Sequence, residues 1–166
     1  MASVNPLLDN ANIDLDELKK KEEEQKKRDE EKEFRDLTLL QDKVKRQPEL
    51  YIKETSKAVE IFKQEFEKVK QNPAIKNVRF IQYCTFLGHV NYLFPKDLEF
   101  LQNYIIDLFS SYGQILNPHV RYKVMQAFIL MRNKKVIAAF KCISIMLKLL
   151  SVKDKELRVL ITTHII

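Results

Sequence analysis

Glycine is scarce in this sequence, and its scarcity limits the folds and sites that the chain can form. The 166 residues include two glycines, five prolines and no tryptophan. Sheets of short strands need frequent turns rich in glycine and proline, and no strand-and-turn pattern recurs here. Two glycines also cannot build a phosphate-binding glycine loop. The composition therefore predicts an almost all-helical protein, and its 45% hydrophobic content is enough to fill the core of one domain.

Residues that carry catalytic or metal-binding chemistry are also few. The histidines His89, His119 and His164 are far apart and have no partner motifs. We therefore predict no catalytic residue, no metal site and no cofactor, and we expect a protein that is not an enzyme. Cys84 and Cys142 each lie among apolar residues, which favours buried thiols in a reducing compartment over a disulfide.

Long apolar runs are absent as well. No run reaches the roughly 20 apolar residues that a membrane-spanning helix needs. The N-terminal residues do not resemble a signal peptide. We therefore expect a soluble, intracellular chain.

What the sequence does have is charge, and its distribution divides the chain in two. Residues 1–36 hold 8 basic and 12 acidic side chains, which leaves 21 basic and 11 acidic side chains for residues 37–166. We expect residues 1–16 to lack fixed structure and residues 17–36 to form a solvated, charged helical arm. The basic surplus in residues 37–166 indicates either a polyanionic partner or simply a lysine-rich soluble surface.

Proline and asparagine residues divide the second part into predicted helices. A short apolar stripe from Leu37 to Val44 precedes Pro48, which can begin the next helix. Another helix is predicted from about residue 77 to residue 94, in which Gly88 indicates either lower regularity or a close neighbour. Pro95 is predicted to begin a further helix that ends at Gly113.

The stretch from Asn117 to Ile137 has the strongest helical signals. Asn117 is a good N-cap and Pro118 fits the first helical position. A shift of 37 residues places the cap, an apolar residue, an arginine and the apolar face on the segment that starts at Asp154. The period predicts a HEAT-like or armadillo-like α-solenoid of stacked antiparallel helices. The same shift upstream, onto residues 80–91, keeps apolar positions but loses the arginine and the cap.

The two segments after Ile137 extend this pattern. Residues 138–151 are apolar nearly all round, which predicts the inner member of a stack. The segment from Asp154 to Ile166 has no polar capping end, so we expect part of a longer array.

Two groups of basic residues are candidates for function. Arg121 and Arg158 occupy the same position in the repeat, and we favour a role in stacking against the adjacent repeat over direct contact with RNA. Arg132, Asn133, Lys134 and Lys135 lie at a predicted helix end, where they could bind RNA or a protein partner or simply cap the helix.

Several motifs resemble the SDA family, named for severe depolymerisation of actin. They are L-x-P-x-x-R…A-x-I-L-x-R-N-K-x-x-I at Leu116–Ile137, L-L…D-K-x-L-R…T-H-I at Leu149–Ile165, R-x-P-x-x-Y-I at Arg46–Ile52, and Phe94-Pro95. The resemblance covers roughly residues 37–166. Family members are several times longer, so it implies an N-terminal portion.

The resemblance implies a non-enzymatic helical-repeat factor in the assembly and nuclear export of the large (60S) ribosomal subunit. It also implies a location in the nucleolus and nucleus, pre-ribosomal particles as partners, and a link to actin organisation. The alternative function is a cytoplasmic helical-repeat adaptor for transport or cytoskeletal proteins. Salt-sensitive RNA binding would favour the first function, and vesicle or actin association without RNA would favour the second.

Overall fold

The computed structural model describes the backbone of residues 6–165 and the side chains of residues 15–165. In that range it has seven α-helices, two 3-10 turns and no β-strand, which confirms the all-α prediction. The helices are α1 (Pro6–Arg46), α2 (Ile52–Gln71), α3 (Val78–Val90), α4 (Phe100–Tyr112), α5 (Pro118–Asn133), α6 (Ala139–Leu149) and α7 (Lys155–Ile165), and the 3-10 turns are Pro48–Tyr51 and Asn91–Leu93. None of the helices described is both long and apolar enough to cross a membrane.

The chain forms two compact units, Met1–Asp36 and Leu37–Ile166. In the first unit, residues 15–36 of α1 are helical and almost all of their side chains are exposed. The prediction that residues 1–16 lack fixed structure is wrong for residues 6–16, which are helical, and its first five residues lie outside the described range. Proline fits a first helical position, and no further proline or glycine interrupts α1 between Pro6 and Arg46.

The second unit is built from helical pairs that stack in two layers. The pairs are α2 with α3, α4 with α5, and α6 with α7. Helix α5 packs between α3 and α7 in one layer, and α4 packs against α6 in the other. Each pair buries its apolar face by stacking on its neighbour, which is the arrangement that defines a helical-repeat solenoid. The predicted solenoid is therefore confirmed.

Aromatic side chains join the first pair to the second. Phe62 of α2 stacks on Phe80 of α3 with 5.4 Å between ring centroids. Phe66 of α2 lies 4.7 Å from Tyr104 of α4, which in turn meets Phe100 edge to face at 5.1 Å. Such pairs are worth about 0.5–1.5 kcal/mol each beyond their buried area. This cluster fixes the packing of α2 and α4 in one layer.

A buried carboxylate also ties α2 to α3. Glu65 of α2 accepts hydrogen bonds from Asn77 at 2.9 Å, from Lys68 at 2.8 Å and from Arg79 at 3.2 Å. Burial alone would raise the pKa of Glu65, but these partners outweigh it and hold the pKa below its usual value. Asn77 is at the same time the N-cap of α3, because its side chain accepts a hydrogen bond from the Phe80 amide.

Both glycines make room for neighbouring atoms. A Cβ on Gly88 would lie 3.3 Å from the Cβ of Ala127, so α3 and α5 approach closely there, which decides between the two interpretations of Gly88. A Cβ on Gly113 would clash with the Phe109 carbonyl oxygen and would lie 2.7 Å from Leu149 Cδ2. Gly113 ends α4 as predicted, but with φ at −52° it does so without the left-handed conformation that usually selects glycine.

Helices α3, α5 and α7 begin with equivalent N-cap residues, but the number of residues between successive caps differs. Asn117 accepts hydrogen bonds from the His119 and Val120 amides, and Asp154 accepts one from the Leu157 amide. The spacing from Asn117 to Asp154 is 37 residues, whereas the spacing from Asn77 to Asn117 is 40. The prediction that the upstream copy loses its cap is wrong, because the cap lies three residues earlier than the 37-residue shift allows. The arginine is indeed missing, since Ile81 occupies its position.

Two other sequence predictions fail in the second unit. Pro95 begins a stretch of turns, and α4 starts only at Phe100. The helix predicted to be an inner one, α6, lies beside α4 and exposes Phe140 and Leu147. The helices with the most buried side chains are instead α3 and α5, which bury eight residues each, whereas α6 buries four.

Candidate functional site

Arg121 of α5 is buried at the junction of two helical pairs. Its side chain is 5% exposed, and it donates from Nε and Nη2 to Asp154 Oδ2 at 3.3 Å and 3.0 Å. Its Nη1 donates to the Gly113 carbonyl at 2.9 Å and to the Leu116 carbonyl at 3.4 Å. One guanidinium therefore joins the end of α4, the start of α5 and the cap of α7. These are the contacts expected of a stacking arginine.

The carboxylate opposite Arg121 has two functions. Asp154 Oδ1 caps α7 through the Leu157 amide at 3.0 Å, while its Oδ2 accepts from Arg121. Burial alone would raise the pKa of Asp154, but the Leu157 amide and Arg121 outweigh it, so this pKa is lower than usual. Asp154 is therefore ionised at neutral pH.

Arg158 has a different environment from its equivalent in the preceding repeat. It is exposed, and its Nε lies 3.4 Å from the Asp154 carbonyl oxygen, one turn earlier in α7. The contact is within its own helix, and among residues 15–165 no other helix gives Arg158 a hydrogen-bond partner, so its stacking role stays a prediction.

The group Arg132–Lys135 separates into two pairs with different surroundings. Arg132 donates from Nη1 to the His164 carbonyl of α7 at 2.6 Å, and its Nε and Nη2 lie 3.4 Å and 3.2 Å from Asn133 Oδ1. This arginine bonds a carbonyl at the opposite end of α7 from Arg121. Its geometry is that of a second inter-repeat contact, although the sequence grouped it with surface candidates.

Lys134 and Lys135 lie just beyond the last residue of α5. Lys134 is the C-cap, and its Nζ lies 4.7 Å from the centroid of the Tyr92 ring. Lys135 has a left-handed backbone with φ of 61°. Its amide donates to the Arg132 carbonyl, and the Val136 amide donates to the Met131 carbonyl, which is a Schellman motif. Glycine is usual at that position, and another residue costs about 1–2 kcal/mol there.

Other basic and aromatic side chains meet Lys134 at the ends of neighbouring helices. Lys45 and His89 lie at the C-terminal ends of α1 and α3, and Lys134 lies just beyond the end of α5. Burial and then the positive charges of Lys45 and Lys134 lower the pKa of His89. We call Lys45, His89, Tyr92, Lys134 and Lys135 the basic edge. Cations are favoured at helix C-terminal ends because the last carbonyls carry partial negative charge.

Sequence reasoning missed Lys45, His89 and Tyr92 as members of this edge. They are 42 to 89 residues before Lys134, and only the stacking of the helices brings them near it. Each lies within two residues of the C-terminal end of α1 or α3 as observed. The sequence placed the end of the second of these helices near residue 94, so the signal for His89 was absent.

The described side chains offer little for catalysis. Among residues 15–165, no three His, Cys, Asp or Glu side chains are grouped so as to hold a metal ion. Burial raises the pKa of Cys84 to about 12 and that of Cys142 to about 11, so neither thiol is a ready nucleophile. The geometry is suited to binding through charge and aromatic surface.

Comparison with known proteins gives a consistent result. The sequence profile of the family described as "SDA1, HEAT repeat" matches residues 86–166, which extend from α3 through α7. Proteins named "Protein SDA1 homolog" from Drosophila melanogaster and Dictyostelium discoideum are each 30% identical over 131 residues, and one from Xenopus tropicalis is 28% identical over 131 residues. Each alignment covers 79% of this chain and 18%, 17% and 19% of the respective relatives. The chain thus spans about a fifth of the length of these curated relatives.

Proposed function

This chain belongs to the SDA1 family, and from that premise we propose that it is a non-enzymatic scaffold in the assembly and nuclear export of the large (60S) ribosomal subunit. Its proposed partners are pre-ribosomal particles, including assembly factors and ribosomal RNA, and its proposed location is the nucleolus and nucleus. The link to actin organisation that the resemblance implies is part of the same proposal.

The observation that carries the proposal is the basic edge on a stack of helical pairs. Helical repeats offer long surfaces for binding large partners, because each pair contributes one strip of a continuous face. Cations at the ends of α1 and α5 add attraction for a polyanion, and ribosomal RNA is the polyanion of a pre-ribosomal particle. The residues needed for a reaction do not converge among the described side chains, which supports a scaffold over a catalyst.

The test is sedimentation of the tagged chain from cell extract on a density gradient, with probes for large-subunit and small-subunit precursor RNA. We expect the chain to migrate with large-subunit precursor RNA and to leave those fractions after ribonuclease treatment or a high-salt wash. The small-subunit precursor is the internal control for non-specific adhesion of a basic protein.

Migration at the top of the gradient, without precursor RNA, would contradict the proposal. The alternative would then be a cytoplasmic adaptor for transport or cytoskeletal proteins. Recovery of the chain with vesicles or actin in the same extract would support that alternative directly.

A further inference from the structure

The basic edge combines positive charge with an exposed aromatic ring. Lys45, Lys134 and Lys135 are all exposed, and Tyr92 is 37% exposed with Lys134 Nζ over its ring. Within residues 15–165, no carboxylate lies at ion-pair distance from any of these three lysines. Their charges are therefore available to an external anion.

We propose that the basic edge binds unpaired RNA, with phosphates on Lys45, Lys134 and Lys135 and a base stacked on Tyr92. This inference deepens the proposed function, since it names the ligand class and the residues that contact it. The ligand itself can be tested on the purified chain without a pre-ribosomal particle.

The aromatic ring decides between unpaired RNA and other anions. A protruding ring can stack on a base that is splayed out from a single strand, whereas a base inside a duplex is already stacked and cannot reach the ring. An acidic peptide would use the lysines but gain little from the ring. Lys134 links the stacking contact to the phosphate contact. Its ammonium lies near the Tyr92 ring and can also bind the phosphate of the nucleotide whose base stacks on that ring.

The backbone of Lys135 supports a binding role for that side chain. Its left-handed conformation is one that glycine adopts at no steric cost, and a charged residue there carries strain. Strained non-glycine residues tend to persist where the side chain is used. The conformation also suggests a variant that removes the charge without destabilising the backbone, because Lys135→Gly relieves the strain at the same time.

Binding is measured by fluorescence anisotropy, with a 5′-labelled 12-nucleotide single-stranded RNA and the purified full chain, at several salt concentrations. The same RNA in a perfect duplex and a labelled poly-glutamate peptide are the competing ligands. We expect the single strand to bind more tightly than either. The variants are Tyr92→Leu, Lys135→Gly and the control Lys148→Gln, an exposed lysine of α6 near the turn that leads into α7.

Each variant has a distinct expected signature. Tyr92→Leu removes one stacked base, which should weaken binding roughly 5- to 150-fold and leave the salt dependence unchanged. Lys135→Gly removes one phosphate contact, so the slope of log affinity against log salt should become shallower by about 0.7. Lys148→Gln should match the unmodified chain. A thermal melt of each variant confirms folding, and Lys135→Gly should melt no lower than the parent.

Three results would overturn the inference. They are a Tyr92→Leu variant that binds RNA normally, a Lys148→Gln variant that loses as much affinity as Lys135→Gly, and a poly-glutamate peptide that binds more tightly than RNA. The two proposals fail separately. If the basic edge does not bind RNA but the chain still migrates with large-subunit precursor RNA, only the proposal about the basic edge is rejected. If the chain binds RNA but does not migrate with that precursor, only the ribosomal role is rejected.

Discussion

Replacing Arg121 by methionine should destabilise the second unit strongly, whereas the same change at Arg158 should not. Arg121→Met leaves Asp154, whose side chain is 11% exposed, without its charged partner and removes the donor from the Gly113 carbonyl. Breaking a buried pair from one side costs about 3–5 kcal/mol. Asp154 keeps its hydrogen bond to the Leu157 amide, so we place the cost near the lower end, at about 3 kcal/mol.

Arg158→Met is the matched control, because Arg158 occupies the equivalent repeat position but is exposed and bonded within its own helix. Its substitution should change the free energy of unfolding by no more than about 0.5 kcal/mol. For a chain of this size, 3 kcal/mol corresponds to a fall in Tm of roughly 6–12 °C.

Urea unfolding followed by tyrosine fluorescence measures both variants. All six tyrosines lie between residues 51 and 122, so the signal reports the second unit and not the charged arm. A double variant, Arg121→Met with Asp154→Asn, should cost less than the two single changes together by at least about 1 kcal/mol. Equal costs for Arg121→Met and Arg158→Met, or a cost below about 1 kcal/mol at Arg121, would refute the reasoning.

Three further predictions follow from packing and titration. Gly113→Ala should cost about 1–3 kcal/mol in urea unfolding, because the new Cβ would lie 2.7 Å from Leu149 Cδ2; a neutral result would show that the two helices separate readily there. The lowered pKa of Glu65 gives stability above its unfolded pKa of about 4.5, and that stability is lost as the pH falls through the lower folded pKa. Glu65→Gln should therefore cost about 1–3 kcal/mol at pH 7 and much less at pH 3, and a gap that stays constant would contradict this. Iodoacetamide at pH 8 should label Cys84 and Cys142 only after unfolding, as judged by mass spectrometry, and rapid labelling of the folded chain would disagree with their raised pKa values.

The sequence predicted helix caps and buried faces correctly where each depends only on residues close together in the chain. Asn117 caps α5 as expected, because capping depends on a side chain and amides only two and three residues away. Helical spacing places Ala58, Phe62, Phe66 and Val69 on one side of α2, and all four are buried. The repeat was visible for the same reason in its last two copies.

Predictions failed where the outcome depended on contacts between distant residues. A fixed 37-residue period concealed the Asn77 cap, because the first interval is 40 residues long. The apolar composition of α6 led to the prediction that it is an inner helix of the stack. The position of a helix in the stack is decided instead by the helices that pack against it. Arg132 and Lys134 differ by two residues in sequence, yet one bonds a carbonyl of α7 and the other lies over Tyr92. The basic edge could not be assembled from sequence because its members come from three helix ends.

Arg121 and Arg132 together give the solenoid a mechanical property. They bond opposite ends of α7 from positions 11 residues apart in α5, a separation of about 16 Å along the helix axis. One such attachment would act as a pivot, but two at that distance resist both tilting and sliding of α7 over α5. A force that bends the stack should therefore deform it at another position. The last helical pair, α6 and α7, should move together with α5 as one body.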